Sequence, residues 1–573
     1  MKFENILQEI DGFGPFQITI IFMLCSTRMV LPCHFLLTNF IGVLPPHHCD
    51  ISTLDNGPFR NLTEQQRLTV SIPVQEDGSP KSCEMFAEPQ FQLLANTSNS
   101  SDLPTVQCGS GWVYDNSTFT STMATEWDLV CDRKILTKTS STIFFLGVMV
   151  GAVALGYLSD KYGRKLTLLA SFIMTILFGI SSGFANSYSL FVVLRFLTGV
   201  GLTGISIISI VLSVEWVDVE HRSFIGVVGS LSPTVGGMML AGLAFLIKDW
   251  RALVMTVTAP TAVALLTWWW IPESARWLLT SGKVERAQFY LDQCAKFNKR
   301  PKPSSTLILE EQCSQCFSGL WVLFNANMKT VSTMKTGEQN KNYTFLDLIK
   351  TPKLRKITLV TGMVWAGVAF TYYGISLNIT GFGLNMYLTH FLYAAIEIPA
   401  KLTTYCLLNI IGRRWCQVGS LILTGTCIAI NIFVPKDLWY VRAAVAVLGK
   451  GLSGCSFTTV YLYTTELFPT VLRQNGMGFT SFTCRVGMSL APLILLLEDL
   501  WRPLSQIIFW SMATTCGLLC LLLPETLNVK LPETVDDIEK PRRRGIDPHL
   551  PEFAGVFLGS SEKSNEETNS YHI

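Results

Sequence analysis

Long uncharged runs alternate with short polar stretches along most of this chain. A membrane-crossing helix needs about 20 mostly apolar residues. Windows 139–159, 223–247, 252–272, 415–435 and 503–524 meet that need without one charged residue. The uncharged run 166–194 holds one span and the start of a turn at "NSYS", and 196–214 supplies the next. Residues 357–396 lack charge over 40 positions, too long for one span, so they split near "GFGLN". Windows 16–40, 442–463 and 476–497 read as spans that carry internal charge. Twelve spans result, six before residue 272 and six after 356, which predicts an all-α membrane protein.

The polar segments give the expected organisation: an N-terminal stretch 1–15, a six-helix bundle 16–272 with a large loop 44–138, a central loop 273–356, a second bundle 357–523 and a tail 524–573. The short loops "SDKYGRK" (159–165) and "IGRRW" (411–415) are basic and follow even-numbered spans. By the positive-inside rule they lie in the cytosol, and so do both termini and the central loop. Loop 44–138 then lies outside. It carries glycosylation sequons at Asn61, Asn96, Asn99 and Asn116, which are acceptors only in that position. It also holds Cys49, Cys83, Cys108 and Cys131, an even set that predicts two disulfides among three possible connectivities.

Composition agrees with a membrane protein and removes other classes. Charged residues are 15% of the chain, against about 25% in soluble domains. A net charge of +2 gives no reason to expect a nucleic-acid partner. The opening "MKFENILQEIDGFGPFQ" is acidic and lacks a small-residue cleavage site, so the first span is expected to be retained. No phosphate loop, metal-ligand spacing or nucleophile elbow is visible, so neither an enzyme nor a cofactor is expected.

The two halves echo each other. Gly163 of "DKYGRK" matches Gly412 of "IGRRW" at an offset of 249. Glu215 and Arg222 of "EWVDVEHR" return as Glu466 and Arg473 of "ELFPTVLR" at 251, and "PESARWLL" at Pro272 returns as "PETL" at Pro524, offset 252. Three motifs in one order at nearly one offset indicate a duplicated six-helix unit.

"GYLSDKYGRK" resembles the loop signature of the major facilitator superfamily. The large loop after the first span, "PESARWLL" and "ELFPTVLRQNGMG" together resemble solute carrier family 22, over nearly the whole chain. The resemblance implies the superfamily fold, two pseudo-symmetric six-helix bundles, and transport by alternating access at a site between them. "GSLSPTVGG" (229–237) also resembles an exchanger motif of the superfamily, with Ser232 where a Gly usually precedes the Pro.

Charged residues at the predicted cytoplasmic helix ends either anchor helices or form ion pairs that latch one state. In the first half they are Asp160, Arg164, Glu215, Arg222, Glu273 and Arg276; in the second, Arg413, Glu466, Arg473 and Glu525. The resemblance favours gating.

Charges inside spans are the site candidates, because each needs a polar partner or a wet cavity. They are Arg28, Arg195, Glu397, Lys401, Arg442, Lys450 and Arg485. Glu397 and Lys401 share one helix face at i, i+4 and are able to neutralise each other. Arg485 sits mid-span with no acid in its own helix. Either Glu397 answers it across helices or it offers a bidentate donor to a carboxylate or phosphate. Arg442 and Lys450 read as residues able to snorkel toward an interface. In the organic anion branch of the resembled family an Arg occupies the position of Arg485 and a Lys that of Lys401, whereas the cation branch carries an Asp at 485. Trp365, Phe370, Tyr372, Tyr373, Phe457 and Tyr461 are candidate wall residues, and Tyr372, Tyr373, Phe457 and Tyr461 match pocket positions of that branch. His34 is a further candidate in "STRMVLPCHFLL", which also holds Arg28, and Phe35 stands where relatives often have a small polar residue. The implied cargo is small organic anions, aromatic carboxylates above all, with a counter-anion such as a dicarboxylate, across the plasma membrane. The alternatives are a cation or zwitterion carrier of the same family and a receptor that binds without transporting.

Overall fold

The computed structural model describes residues 2–52, 62–75, 79–94, 103–302, 345–379 and 384–539, apart from positions 219, 436, 470, 499, 502, 528, 530, 531 and 533. Eleven helices within these residues are long and apolar enough to cross a membrane. They are α1 (Pro15–Ile41), α2 (Ile135–Tyr162), α3 (Arg164–Gly183), α4 (Tyr188–Glu215), α5 (Arg222–Leu246), α6 (Trp250–Thr267), α7 (Pro352–Leu377), α8 (Met386–Ile410), α9 (Arg413–Phe433), α10 (Trp439–Leu467) and α11 (Arg473–Ile494). A shorter apolar helix, α12 (Leu504–Cys520), completes the twelve; its 17 residues reach about 25 Å, the short end of the spanning range.

Two of these helices are broken, α1 at Met29 and again at Leu36–Leu37 and α8 at Ile396, and proline explains the first break of α1 and that of α8. Pro32 has no N–H to offer the Arg28 carbonyl, and the first piece of α1 ends at Arg28. Pro399 leaves the Ala395 carbonyl without a partner in the same way, and the first piece of α8 ends at Ala395. Each of these two proline breaks lies beside a central charge, Arg28 in α1 and Glu397 in α8.

Helices α1–α6 form one half and α7–α12 the other. The halves meet where α2 packs on α11 and α5 on α8. Within the first half, α2 and α4 approach closely over the "TGVGLTG" stretch: a Cβ at Gly199 would stand 2.6 Å from the Phe144 carbonyl oxygen. A shared apolar core joins the halves. Phe145 and Phe35 pack on Tyr373, with ring centroids 5.2 and 6.4 Å apart, and Asn39 donates to the Ser376 carbonyl (2.8 Å).

The segment between α1 and α2 forms a small cap on one face. Antiparallel β1 (His47–Cys49) pairs with β4 (Trp112–Tyr114), and β2 (Glu84–Phe86) pairs with β3 (Thr105–Gln107). Of the three connectivities, the fold adopts Cys49–Cys108 and Cys83–Cys131. Glu126 holds the cap to α6 by accepting from Trp250 Nε1 (2.7 Å) and pairing with Arg251. On the opposite, basal face, helix Lys2–Glu9 and helices Ala275–Thr280 and Val284–Phe297 pack under the first half. Asn298 ties them together: it accepts from Phe16 N–H (2.9 Å) and donates to the Ile10 carbonyl (3.0 Å) and Gln17 (2.9 Å).

Candidate functional site

The repeated motifs build the same device twice at the basal face. Gly163 (φ +113°, ψ 159°) and Gly412 (φ +96°, ψ 166°) turn the chain into α3 and α9 through backbone angles open essentially to glycine alone. The Glu273 carboxylate accepts the first N–H groups of α3, from Arg164 (2.9 Å) and Lys165 (3.1 Å). Glu525 does the same for α9, accepting from Arg413 (3.0 Å) and Arg414 (3.1 Å). An anion at a helix N-terminus satisfies orphan donors and meets the positive end of the helix dipole. Burial pushes the Glu273 carboxyl above its ordinary pKa, while the N–H bonds and the Arg164 charge pull it back. The arginine that follows each glycine then reaches the acid at the end of α4 or α10 in its own half. Arg164 pairs with Asp160 (2.6 Å) and Glu215 (3.4 Å), and Arg413 pairs with Glu466 (3.0 Å). Each of these pairs joins residues of one half. Arg222 and Arg473 open α5 and α11 beside them and are half-buried. Arg276 departs from the expectation: it is exposed and makes no ion pair among the described residues, because its side chain lies on the outer side of the short helix whose Ala275, Trp277 and Leu278 are buried.

Midway along α8, the buried Glu397 gathers two lysines. Lys401, one turn on, lies 2.9 Å from Oε2, and Lys450 of α10 lies 3.0 Å from Oε1. Tyr372 of α7 donates its hydroxyl to Oε1 (2.6 Å). Lys450 also donates to Ser376 (2.6 Å) and sits 3.1 Å from the Tyr372 ring centre, a cation–π contact. Lys401 reaches the other half of the molecule, donating to Thr234 (2.8 Å) and the Ser230 carbonyl (3.0 Å) of α5. One carboxylate against two ammonium groups leaves this cluster with a net positive charge.

Arg485 and Arg28 differ from these lysines. Arg485 of α11 donates to the carbonyl (2.8 Å) and hydroxyl of Ser481 on its own helix. Its Nε has no partner, and no carboxylate pairs with it among the described residues. Arg28 of α1 likewise pairs with no carboxylate there, and its Nε is also without a partner. Both are only half-buried. A chain of aromatic rings runs between their neighbourhoods. Tyr461, near Arg28, meets Trp365 at 6.3 Å; Trp365 meets Phe457 at 5.8 Å; Phe457 meets Tyr372 at 5.3 Å; Tyr372 meets Tyr373 at 5.2 Å. Tyr373 lies within electrostatic reach of Arg485. Trp365 is fixed by donating Nε1–H to Thr464 (2.8 Å). Trp365 and Tyr373 are buried in this chain of rings while Tyr461 is exposed, and the two guanidinium groups pair with no carboxylate among the described residues, chemistry suited to binding an amphiphilic anion.

The comparisons with known proteins fit this architecture. Residues 134–492 match the family model described as Major Facilitator Superfamily. Solute carrier family 22 member 7 of Homo sapiens is 43% identical over 553 residues, covering 94% of this chain and 96% of that protein. The chain belongs to solute carrier family 22. Solute carrier family 22 member 6-A of Xenopus laevis is 37% identical over 544 residues, covering 94% of each chain. Among solved structures, the proton:xylose symporter XylE bound to 6-bromo-6-deoxy-D-glucose superposes with TM-score 0.55 at 14% identity, covering 91% of this chain and 99% of that one. This family 22 chain is thus a membrane transporter of the superfamily fold and not an enzyme.

Membership of solute carrier family 22 leaves the role of each residue to geometry. Tyr372, Tyr373, Phe457, Tyr461 and Trp365 lie in one chain of rings, and Arg485 lies within electrostatic reach of Tyr373. Phe370 does not join them; it packs on Phe509 of α12, 4.8 Å between centroids. Lys401 is present but already engaged by Glu397. His34 leaves the candidate list: it is fully buried, its Nδ1 3.0 Å from Arg195 and its carbonyl accepting from the same guanidinium (2.9 Å). Arg195 stacks on Phe144 (4.5 Å), so this pair ties α4 to α1. Lys450 does not snorkel: it is 2% exposed and answers Glu397. Nor does Glu397 answer Arg485. The signal for Lys450 lay in its depth, eleven residues into α10, where a lysine stem cannot reach either interface. Asn116 is exposed on the cap, whereas Asn61, Asn96 and Asn99 lie outside the described residues.

Proposed function

We propose that this chain carries small organic anions, with aromatic carboxylates as preferred cargo, across the plasma membrane by alternating access. The cap and its glycans face outside and both termini face the cytosol. The observation that carries the reading is Arg485: a mid-membrane guanidinium whose only hydrogen-bond partner among the described residues is Ser481 of its own helix, with Tyr373 within electrostatic reach. A buried charge is retained where it has work, and here the partner is the cargo. The basal clusters are then gating elements that rearrange as the halves rock. Exchange against a dicarboxylate or another counter-anion fits the same site. A cation or zwitterion carrier would need a free central carboxylate, but Glu397 is engaged by two lysines and a tyrosine.

The test is uptake of labelled aromatic carboxylates in cells expressing this chain, with surface expression checked. Arg485→Ala lowers uptake by at least tenfold, as expected for loss of a charge-assisted anion contact. Uptake equal to wild type sinks the assignment of Arg485. Unlabelled dicarboxylate on the opposite side accelerates flux if the carrier exchanges the two.

A further inference from the structure

We infer that the Cys83–Cys131 bridge of the cap is a thiol-exchange site, at which His47 is the base that activates an incoming low-molecular-weight thiol. A ring nitrogen of His47 and both sulfur atoms of this bridge lie within 4.8 Å of one another. His47 Nδ1 sits 3.0 Å from the Pro45 carbonyl, which only accepts, so Nδ1 carries the ring proton. Nε2 then keeps its lone pair, and it is buried without a hydrogen-bond partner among the described residues. An unprotonated imidazole nitrogen beside a disulfide is placed to take the proton of a thiol that approaches the sulfur. With the cap facing outside as proposed above, that thiol is an extracellular one.

Two features separate this bridge from Cys49–Cys108. Cys83 and Cys131 are both half-buried, whereas Cys49 is fully buried. Cys131, which opens the turn into α2, also holds a φ of +51°, a left-handed angle that a residue with a side chain rarely adopts. In the exchange, R–SH gives its proton to Nε2 and its sulfur attacks one sulfur of the bridge. The S–S bond breaks, and the departing thiolate takes the proton back from the imidazolium. One cysteine ends in a mixed disulfide with R–S and the other as a thiol, so no outside oxidant or reductant enters. Cys49–Cys108 and the two strand pairs still hold the cap together. The titratable and charged groups around the His47 ring are His48, Lys134, and Tyr114, which donates to Asp128 (2.8 Å). Beside the cysteines, Lys81 pairs with Glu84 (2.8 Å), and Asp132 and Arg133 are exposed.

The test treats the full-length chain in detergent with reduced glutathione and quenches with N-ethylmaleimide. Peptide mass spectrometry then reads which cysteines carry glutathione and which carry maleimide. A thiol of pKa about 8.5 is only about 7% ionised at about pH 7.4, so a base has about a tenfold gain in rate to give there and almost none at about pH 9.5. In the wild type at about pH 7.4, Cys83–Cys131 opens about tenfold faster than Cys49–Cys108. His47→Gln slows that opening about five- to tenfold at about pH 7.4 and leaves it within about twofold at about pH 9.5. Equal opening rates for the two bridges in the wild type overturn the proposal, and this comparison needs no variant. A His47→Gln rate equal to wild type at about pH 7.4 overturns it as well. So does a rate slowed by the same factor at both pH values, which would make His47 a support of the fold and not a base.

Discussion

At the basal face, Glu273 and Glu525 occupy equivalent places 252 positions apart: each caps the helix that starts after a glycine in the same backbone conformation. The centre of the molecule shows no such echo. The first half contributes Arg28 and the Arg195–His34 tie, while the second contributes Glu397, Lys401, Lys450 and Arg485. If the proposed function holds, duplication was kept where both halves make the same movement against the same face and lost where they meet a single asymmetric cargo. On the reading proposed here, the repeated charges serve motion and the unrepeated ones serve recognition.

The sharpest way to break that division is at Glu397. Replacing it by Gln leaves two lysines in the membrane interior without an anion. Removing one partner of a buried ion pair destabilises by about 3–5 kcal/mol, because the other charge stays desolvated. A large drop in melting temperature in detergent, with low surface expression, is the expected result for Glu397→Gln. Pairing it with Lys450→Gln restores part of the loss, since Lys450 is the more deeply buried lysine. A single variant as stable as wild type would mean the cluster is hydrated and owes little to its carboxylate.

The basal symmetry is tested by Gly163→Ala and Gly412→Ala. Each forces a Cβ into a backbone region that costs about 1–3 kcal/mol for other residues. Each also drives that Cβ toward the capping carboxylate, to 2.6 Å from Glu273 and 2.8 Å from Glu525. Both variants should lose stability and transport rate to similar degrees, with affinity for cargo little changed. A loss confined to one of them would show that only one half's cluster matters to the cycle.

These contrasts explain what was readable from the chain. The spans and the repeat were legible because they rest on local quantities: runs without charge, and glycine, acid and arginine at a fixed offset. The proline breaks in α1 and α8 were equally local, four residues ahead of Pro32 and Pro399, though apolar windows alone do not reveal them. Glu397–Lys401 was visible as an i, i+4 pair. Its third member was not, because Lys450 comes from α10 and only packing brings it within 3.0 Å. His34 looked available for the same reason: its partner Arg195 lies 161 residues away. Sequence identified which charges stood in the membrane; the tertiary fold decided which were already answered.

The cap provides the weakest perturbation and a control, since it is unrepeated yet lies away from the central site. The His47 ring of β1 lies tilted against that of Tyr114 (5.7 Å between centroids) and has its Nδ1 3.0 Å from the Pro45 carbonyl. Burial lowers its pKa; the bond to Pro45 opposes this, and the charges of His48 and Lys134 add to it. The folded cap therefore prefers the neutral imidazole. The stability this provides is present above the unfolded value of about 6.5 and is lost as pH falls through it toward the lower folded value. Amide exchange in β1 and β4, corrected for intrinsic rates, should quicken modestly between pH 7 and pH 5. His47→Gln should flatten that response while uptake at pH 7.4 stays at the wild-type level. A wild-type exchange profile that is already flat would show that the His47 ring is solvated in the folded cap. A drop in uptake with His47→Gln would instead place the cap within the transport machinery and weaken the rule that unrepeated charge marks recognition only at the centre.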